Sequence, residues 1–106
     1  MERRQGLRKR VDIQTIVERR DGSALAARIR DVSLGGLFID APNDVLSLYA
    51  PLRLRFTLRR RNRDEEHFWR GIVTRTTPNG FGAVFRSPDP VDQNGLLALL
   101  AVADET

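Results

Sequence analysis

Residues 52–59 read LRLRFTLR, and this octapeptide decides the fold class. Leu52, Leu54, Phe56 and Leu58 alternate with Arg53, Arg55 and Arg59. Successive side chains of an extended chain point to opposite faces, so the segment reads as a strand with one apolar and one cationic face. The stretch that follows, RRRNRDEE (59–66), passes from four arginines to three carboxylates and is expected to be a long, self-compensating hairpin tip in solvent. HFWRGIVTRT (67–76) is the next expected strand, and it meets FGAVFR (81–86) across Asn79-Gly80. That dipeptide favours a type I′ turn, with positive φ at both of its residues.

Towards the N-terminus, APNDVLSLYAP (41–51) lies between Pro42 and Pro51 and reads as a connection. LFID (37–40) is a short apolar strand. Before it, ALAARIRDVS (24–33) alternates Leu25, Ala27 and Ile29 against Arg28 and Arg30, and stops at Gly35-Gly36. Asp21-Gly22 is a hairpin signal that joins this strand to VDIQTIV (11–17), a β-branched run. Towards the C-terminus the period changes. Asp89 suits a helix cap and Pro90 the first helical position, while Leu96, Leu99, Leu100 and Ala103 share one face of a helix over about 89–104. Gly95 weakens that helix by about 1 kcal/mol relative to Ala. Six strands without intervening helices, then one helix, define an all-β chain: an antiparallel barrel or sandwich with a terminal helix at its side or mouth.

With 106 residues, 41% of them hydrophobic, the chain suits one domain with a real core. It contains no cysteine, which excludes disulfides, thiolate metal sites and thiol nucleophiles and makes the cytoplasm the expected compartment. No apolar leader opens the sequence, and no uncharged apolar run approaches the roughly 20 residues that span a bilayer. The net charge of +4 is concentrated at one end. The first ten residues, MERRQGLRKR, hold five basic side chains and one carboxylate, while the other 96 carry 13 charges of each sign. Residues 1–10 are therefore expected to be a flexible basic arm and 11–106 the barrel domain. A sequence-independent nucleic-acid binder spreads its cations along a face, so neither DNA nor RNA is an expected partner.

Enzyme chemistry finds little to build on. His67 is the single histidine, and it follows RDEE at the start of a surface strand. A metal would need an all-carboxylate cage, and the DEE run lacks the interleaved loop that such cages use. A Ser-His-Asp arrangement would have to recruit Ser33 and His67 from different strands, with no G-x-S-x-G elbow. GFGAVF is a glycine pair inside a strand, where close strand contact explains it better than a phosphate loop. No catalytic residue, metal or cofactor is expected.

Two short motifs complement each other. RQGLR carries Arg4 and Arg8 three residues apart, with Arg3 adjacent and Gly6 between them. DVSLGG places Asp31 and Ser33 on the same side of a strand end, before Gly35 and Gly36. Either motif alone has a bland reading, as a solvated arm or as a turn whose Asp and Ser bond their own backbone. Together they supply what a guanine nucleotide requires. Guanidinium grips phosphate oxygens, or guanine O6 and N7, as bidentate acceptors, and a carboxylate accepts from guanine N1–H and N2–H. Adenine presents no such donor pair.

On these residues the chain resembles the PilZ domain family, whose marks are R-x-x-x-R before the first strand and D/N-x-S-x-x-G between the second and third. Arg4 and Arg8 match the first mark, and Asp31, Ser33 and Gly36 the second. RGIVTR and GFGAVF resemble the family's G-x-V and G-x-x-F strands, so the likeness covers essentially the whole chain. The resemblance implies a six-stranded antiparallel β-barrel of split-barrel type with a C-terminal helix, binding cyclic di-GMP without catalysing a reaction. The arm arginines would wrap the ligand while Asp31 and Ser33 hold guanine on the barrel. Arg3 is a further candidate contact, and a basic residue there suits an intercalated ligand dimer. The output is expected to lie in a separate protein partner, with the domain a monomer or a homodimer. Two other readings stay open: an interaction barrel that docks a partner through Leu96, Leu99 and Leu100, and a small-barrel nucleic-acid binder. The second needs exposed aromatics beside a basic groove.

Overall fold

The alternation at 52–59 becomes a barrel strand in the computed structural model, which describes residues 8–42, 46–86 and 90–104. Leu52, Leu54, Phe56 and Leu58 are buried there and Arg53 and Arg59 exposed. The strands are β1 (Lys9–Arg19), β2 (Ala24–Val32), β3 (Gly36–Asp40), β4 (Pro51–Arg60), β5 (Arg63–Thr77) and β6 (Gly80–Phe85), followed by helix α1 (Pro90–Asp104). They close a barrel in the order β1-β2-β3-β6-β5-β4, with every pairing antiparallel. A barrel is thus formed and not a sandwich. The closing seam is partial: β1 pairs with β4 only over Thr15–Arg19. Arg3, Arg4 and the expected helix cap Asp89 lie outside the described residues.

Two turns differ from their sequence reading, and the expected hairpin at Asp21-Gly22 is present. The charged run 59–66 is not a long tip, because β4 and β5 stay paired as far as Arg60↔Arg63. Only Arg61 and Asn62 turn, both at positive φ (52° and 64°), the type I′ geometry whose twist matches the strands. Opposite charges meet across the pair, Arg59 with Asp64 at 3.4 Å and Arg60 with Glu65 at 3.5 Å, so charge density there is compatible with a ladder. At the β5–β6 connection the turn sits one residue earlier than expected, on Pro78-Asn79, and neither Asn79 nor Gly80 has positive φ. Proline fixes φ near −65°, which excludes type I′. Gly80 is needed for a different reason: it begins β6, where a Cβ would lie 2.0 Å from Ile39 O. At the first hairpin Gly22 alone is left-handed (φ 90°), and Arg19 O accepts from Gly22 N–H at 3.0 Å, which gives a three-residue loop. β1 also starts two residues inside the segment read as an arm, with Lys9 opposite Val32 and Arg10 opposite Asp31.

The core is built from inward positions of all six strands, including Val17, Ile29, Ile39, Leu54, Trp69 and Val73, each fully buried. Helix α1 packs chiefly on β5 and also touches β1, β2 and β4, so it lies across one side of the barrel. Its Leu96, Leu99 and Ala103 join the barrel core. The leucine stripe considered above as a docking face therefore covers the domain's own interior, with only Leu100 partly accessible. Gly95 sits where α1 meets β5, and a Cβ there would lie 2.3 Å from Phe68 O. The helix is also tied by Asp92, 2% exposed, which accepts from Arg70 Nε at 2.9 Å. No helix among the described residues is long and apolar enough to cross a membrane.

Candidate functional site

The site is assembled where three strand ends meet: the start of β1, the end of β2 and the start of β3. Two irregularities shape it. Register shifts fall between Arg10 and Ile13 on β1 and between Ile29 and Asp31 on β2, and such bulges bend a strand and re-aim its side chains. Asp31 lies opposite Arg10 on one side and Phe38 on the other.

Arg8, one residue before β1, reaches this strand end. Its Nε donates to Asp31 Oδ1 at 2.9 Å, and its Nη2 donates to the same oxygen. The two side chains are 35% and 28% exposed, so the pair is open to solvent and to a ligand. The last residue of RQGLR and the first of DVSLGG are thus in contact.

Ser33 behaves differently. It is buried, and its N–H donates to Gly36 O at 2.9 Å while Gly35 N–H donates to Ser33 Oγ at 3.3 Å. Its hydroxyl braces the β2–β3 turn, the local role weighed for it from sequence. Gly36 is required by packing, because a Cβ there would stand 2.2 Å from Ala83 O on β6.

A groove of about 620 Å³ opens beside this turn, lined by Arg8, Ser33, Gly35 and Gly36 and, across it, by Thr74 and Arg75 of β5 and Gly82–Val84 of β6. Asp31 borders it through Arg8 and is not itself part of the lining. Arg75 belongs to neither sequence motif. A register shift between Val73 and Arg75 changes its aim, and its guanidinium carbon stands 5.4 Å from the Phe38 ring centroid. Strand alternation carries no signal for that shift.

Outside the groove, β1–β3 carry a compensated charge ladder: Arg28 with Asp12 at 2.7 Å and Arg30 with Asp12 at 3.5 Å and Asp40 at 3.1 Å. The hydrogen bond from Arg28 is the main reason the Asp12 carboxyl is held below its ordinary value. Among the described residues the cations that face the groove itself are Arg8 and Arg75.

The molecule is a small closed antiparallel barrel, flanked by its terminal helix and opening a groove at its strand ends. The chain belongs to the PilZ domain family, whose profile matches residues 2–101, a family of binding domains that are generally receptors for cyclic di-GMP. Among solved structures, the PilZ domain of CeSA from a cellulose synthesizing bacterium superposes with a TM-score of 0.77 at 19% identity, covering 93% of this chain and 99% of that one. The Bacillus subtilis inhibitor of motility (MotI/DgrA) superposes with a TM-score of 0.76 at 16% identity, covering 99% of this chain and 53% of that longer one. No curated protein sequence matches the chain.

Proposed function

We propose that this domain is a cyclic di-GMP receptor in which ligand binding exchanges the partners of the Arg8–Asp31 pair. The observation that carries the reading is the contact between these two residues at the rim of a groove whose floor is the Ser33–Gly36 turn. In the empty domain each neutralises the other. A guanine edge offers N1–H and N2–H to Asp31, and the phosphates offer acceptors to the released Arg8, so both charges keep a partner when the nucleotide enters. Arg3 and Arg4 extend the cationic contribution from the same segment, and Arg75 adds one from the far wall. Ser33 and Gly36 serve by holding the turn in shape and keeping the backbone close to the ligand.

Closure of the basic segment over the nucleotide is the conformational change passed on to a separate protein partner. Ordering each residue costs about 1 to 2 kcal/mol of backbone entropy, so at least two arginines must engage before affinity appears. The membership of a family of cyclic di-GMP receptors supports the ligand class. The test is calorimetric titration of cyclic di-GMP, cyclic di-AMP and GTP against the protein and its Arg4→Ala, Arg8→Ala and Asp31→Ala variants. The reading requires preference for cyclic di-GMP and a severe loss in the arginine variants. Equal affinity for all three nucleotides, or unchanged affinity in all three variants, would overturn it.

A further inference from the structure

A second and larger cavity, of about 960 Å³, shares no lining residue with the groove beside Ser33. It lies between the β1–β2 hairpin, the start of β4, the middle of β5 and the end of β6, and its walls hold Arg19, Arg20, Arg53, Arg70 and Arg86, with Glu18 as the single lining carboxylate among the described residues.

The sheet register sets two of these arginines, Arg53 and Arg70, side by side. Glu18 lies opposite Arg53, and Arg53 opposite Arg70, on adjacent strands, while Arg86 N–H donates to Arg70 O at 3.4 Å. Like charges directly opposite each other destabilise a sheet unless something compensates them. Part of the compensation is internal: Glu18 accepts from Arg53 Nε at 2.5 Å, and Asp92 accepts from Arg70 Nε at 2.9 Å. Among the described residues no carboxylate pairs with Arg20 or Arg86, both exposed. Among the described residues Glu18, Asp92 and the hairpin's Asp21 offset part of the five guanidinium charges, and the concavity keeps a net positive charge.

We infer that this cavity is a second anion site, taking a compact ligand with two or more phosphate groups. Arginine forks match phosphate oxygens bidentately, and the volume is that of a nucleotide-sized ligand pocket. The cations come from four separate stretches of chain and surround the space, which suits a compact polyanion better than an extended acidic peptide laid along one line. Pro51 and Ala24 give the cavity an apolar margin on which the non-phosphate part of such a ligand rests.

The test is an NMR titration of the ¹⁵N-labelled full chain with sodium tripolyphosphate, run beside a hexaglutamate peptide, on the wild type and on an Arg20→Ala/Arg86→Ala variant. The Arg8→Ala variant, which removes a cation from the groove beside Ser33, serves as a second control. Saturable shifts are expected at Arg20, Gly22 and Arg86, with affinity about tenfold or more weaker in the double variant and unchanged at these residues in Arg8→Ala. Because Arg20 and Arg86 are exposed, an undisturbed spectrum of the rest of the barrel establishes that the double variant is folded. Shifts confined to Arg8 and Ser33–Gly36, equal affinity in the double variant, or hexaglutamate binding as tightly as tripolyphosphate would each overturn the inference. A failure of cyclic di-GMP to bind leaves these readouts untouched, so the two readings fail separately.

Discussion

Arg8 and Asp31 are a solvent-accessible ion pair, and such pairs contribute about 0.2 to 1 kcal/mol to stability. Arg8→Ala is therefore expected to lower unfolding free energy by no more than about 1 kcal/mol, measured by urea denaturation with the single tryptophan, Trp69, as the fluorescent reporter. Cyclic di-GMP affinity in the same variant should fall far more. A double-mutant cycle on Arg8→Ala and Asp31→Ala is expected to be non-additive for binding, because each side chain is the other's partner in the empty state. The residues of this pair were legible in the sequence as complementary chemistry. Ser33 was legible only as two alternatives, and the structure places its hydroxyl in its own turn. Arg75 was not legible, since a one-residue register shift decides where it points and single-sequence alternation does not encode such shifts.

Elements are legible in the sequence where one face is wholly apolar. Burial of Leu52, Leu54, Phe56 and Leu58 follows directly from period two, and burial of Leu96, Leu99 and Ala103 from the helical period. Turns were read less well. A dipeptide signal such as Asn-Gly reports a preference for positive φ, but at 78–80 a preceding proline and the need for close strand approach at Gly80 prevail. The turn that does use positive φ at both positions, Arg61-Asn62, was hidden inside a charge run. Replacing it by Asn-Gly (Arg61→Asn with Asn62→Gly) is expected to stabilise the domain by about 0.5 to 1 kcal/mol, seen as a higher urea midpoint. Gly95→Ala tests the opposite balance. Helix propensity alone favours alanine by about 1 kcal/mol, yet the 2.3 Å approach to Phe68 O means α1 must move away from β5. Net destabilisation of about 1 to 3 kcal/mol is expected in the same assay.

For the whole molecule, charge is managed by arginine–carboxylate pairs on the outer barrel face. Glu18 is held below its ordinary 4.5 chiefly by the hydrogen bond from Arg53, and Asp12 below 3.8 chiefly by that from Arg28. A carboxylate whose folded value is depressed binds protons more readily when unfolded, so its contribution is full above the ordinary value and is lost as pH falls through the folded one. Thermal stability is expected to hold down to about pH 4.5 and to decline below it, and Arg53→Ala should raise the Glu18 midpoint followed by NMR. Ligand acts in the other direction. At a hundredfold excess over Kd, cyclic di-GMP should add about 2.7 kcal/mol, a rise in Tm on the order of 10 °C by scanning calorimetry.

The partial seam between β1 and β4 bears on how a signal leaves the barrel. Among the described residues, β1 from Lys9 to Gln14 has a hydrogen-bonded neighbour on its β2 side only, whereas from Thr15 onward it is gripped on both flanks. Amide hydrogens of the first half should therefore exchange with solvent sooner than those of the second, through openings that leave the rest of the barrel intact. Arg8 stands beside the one-sided half of that zipper, so whatever pulls on its guanidinium is attached to the part of the wall most easily peeled back or fastened down.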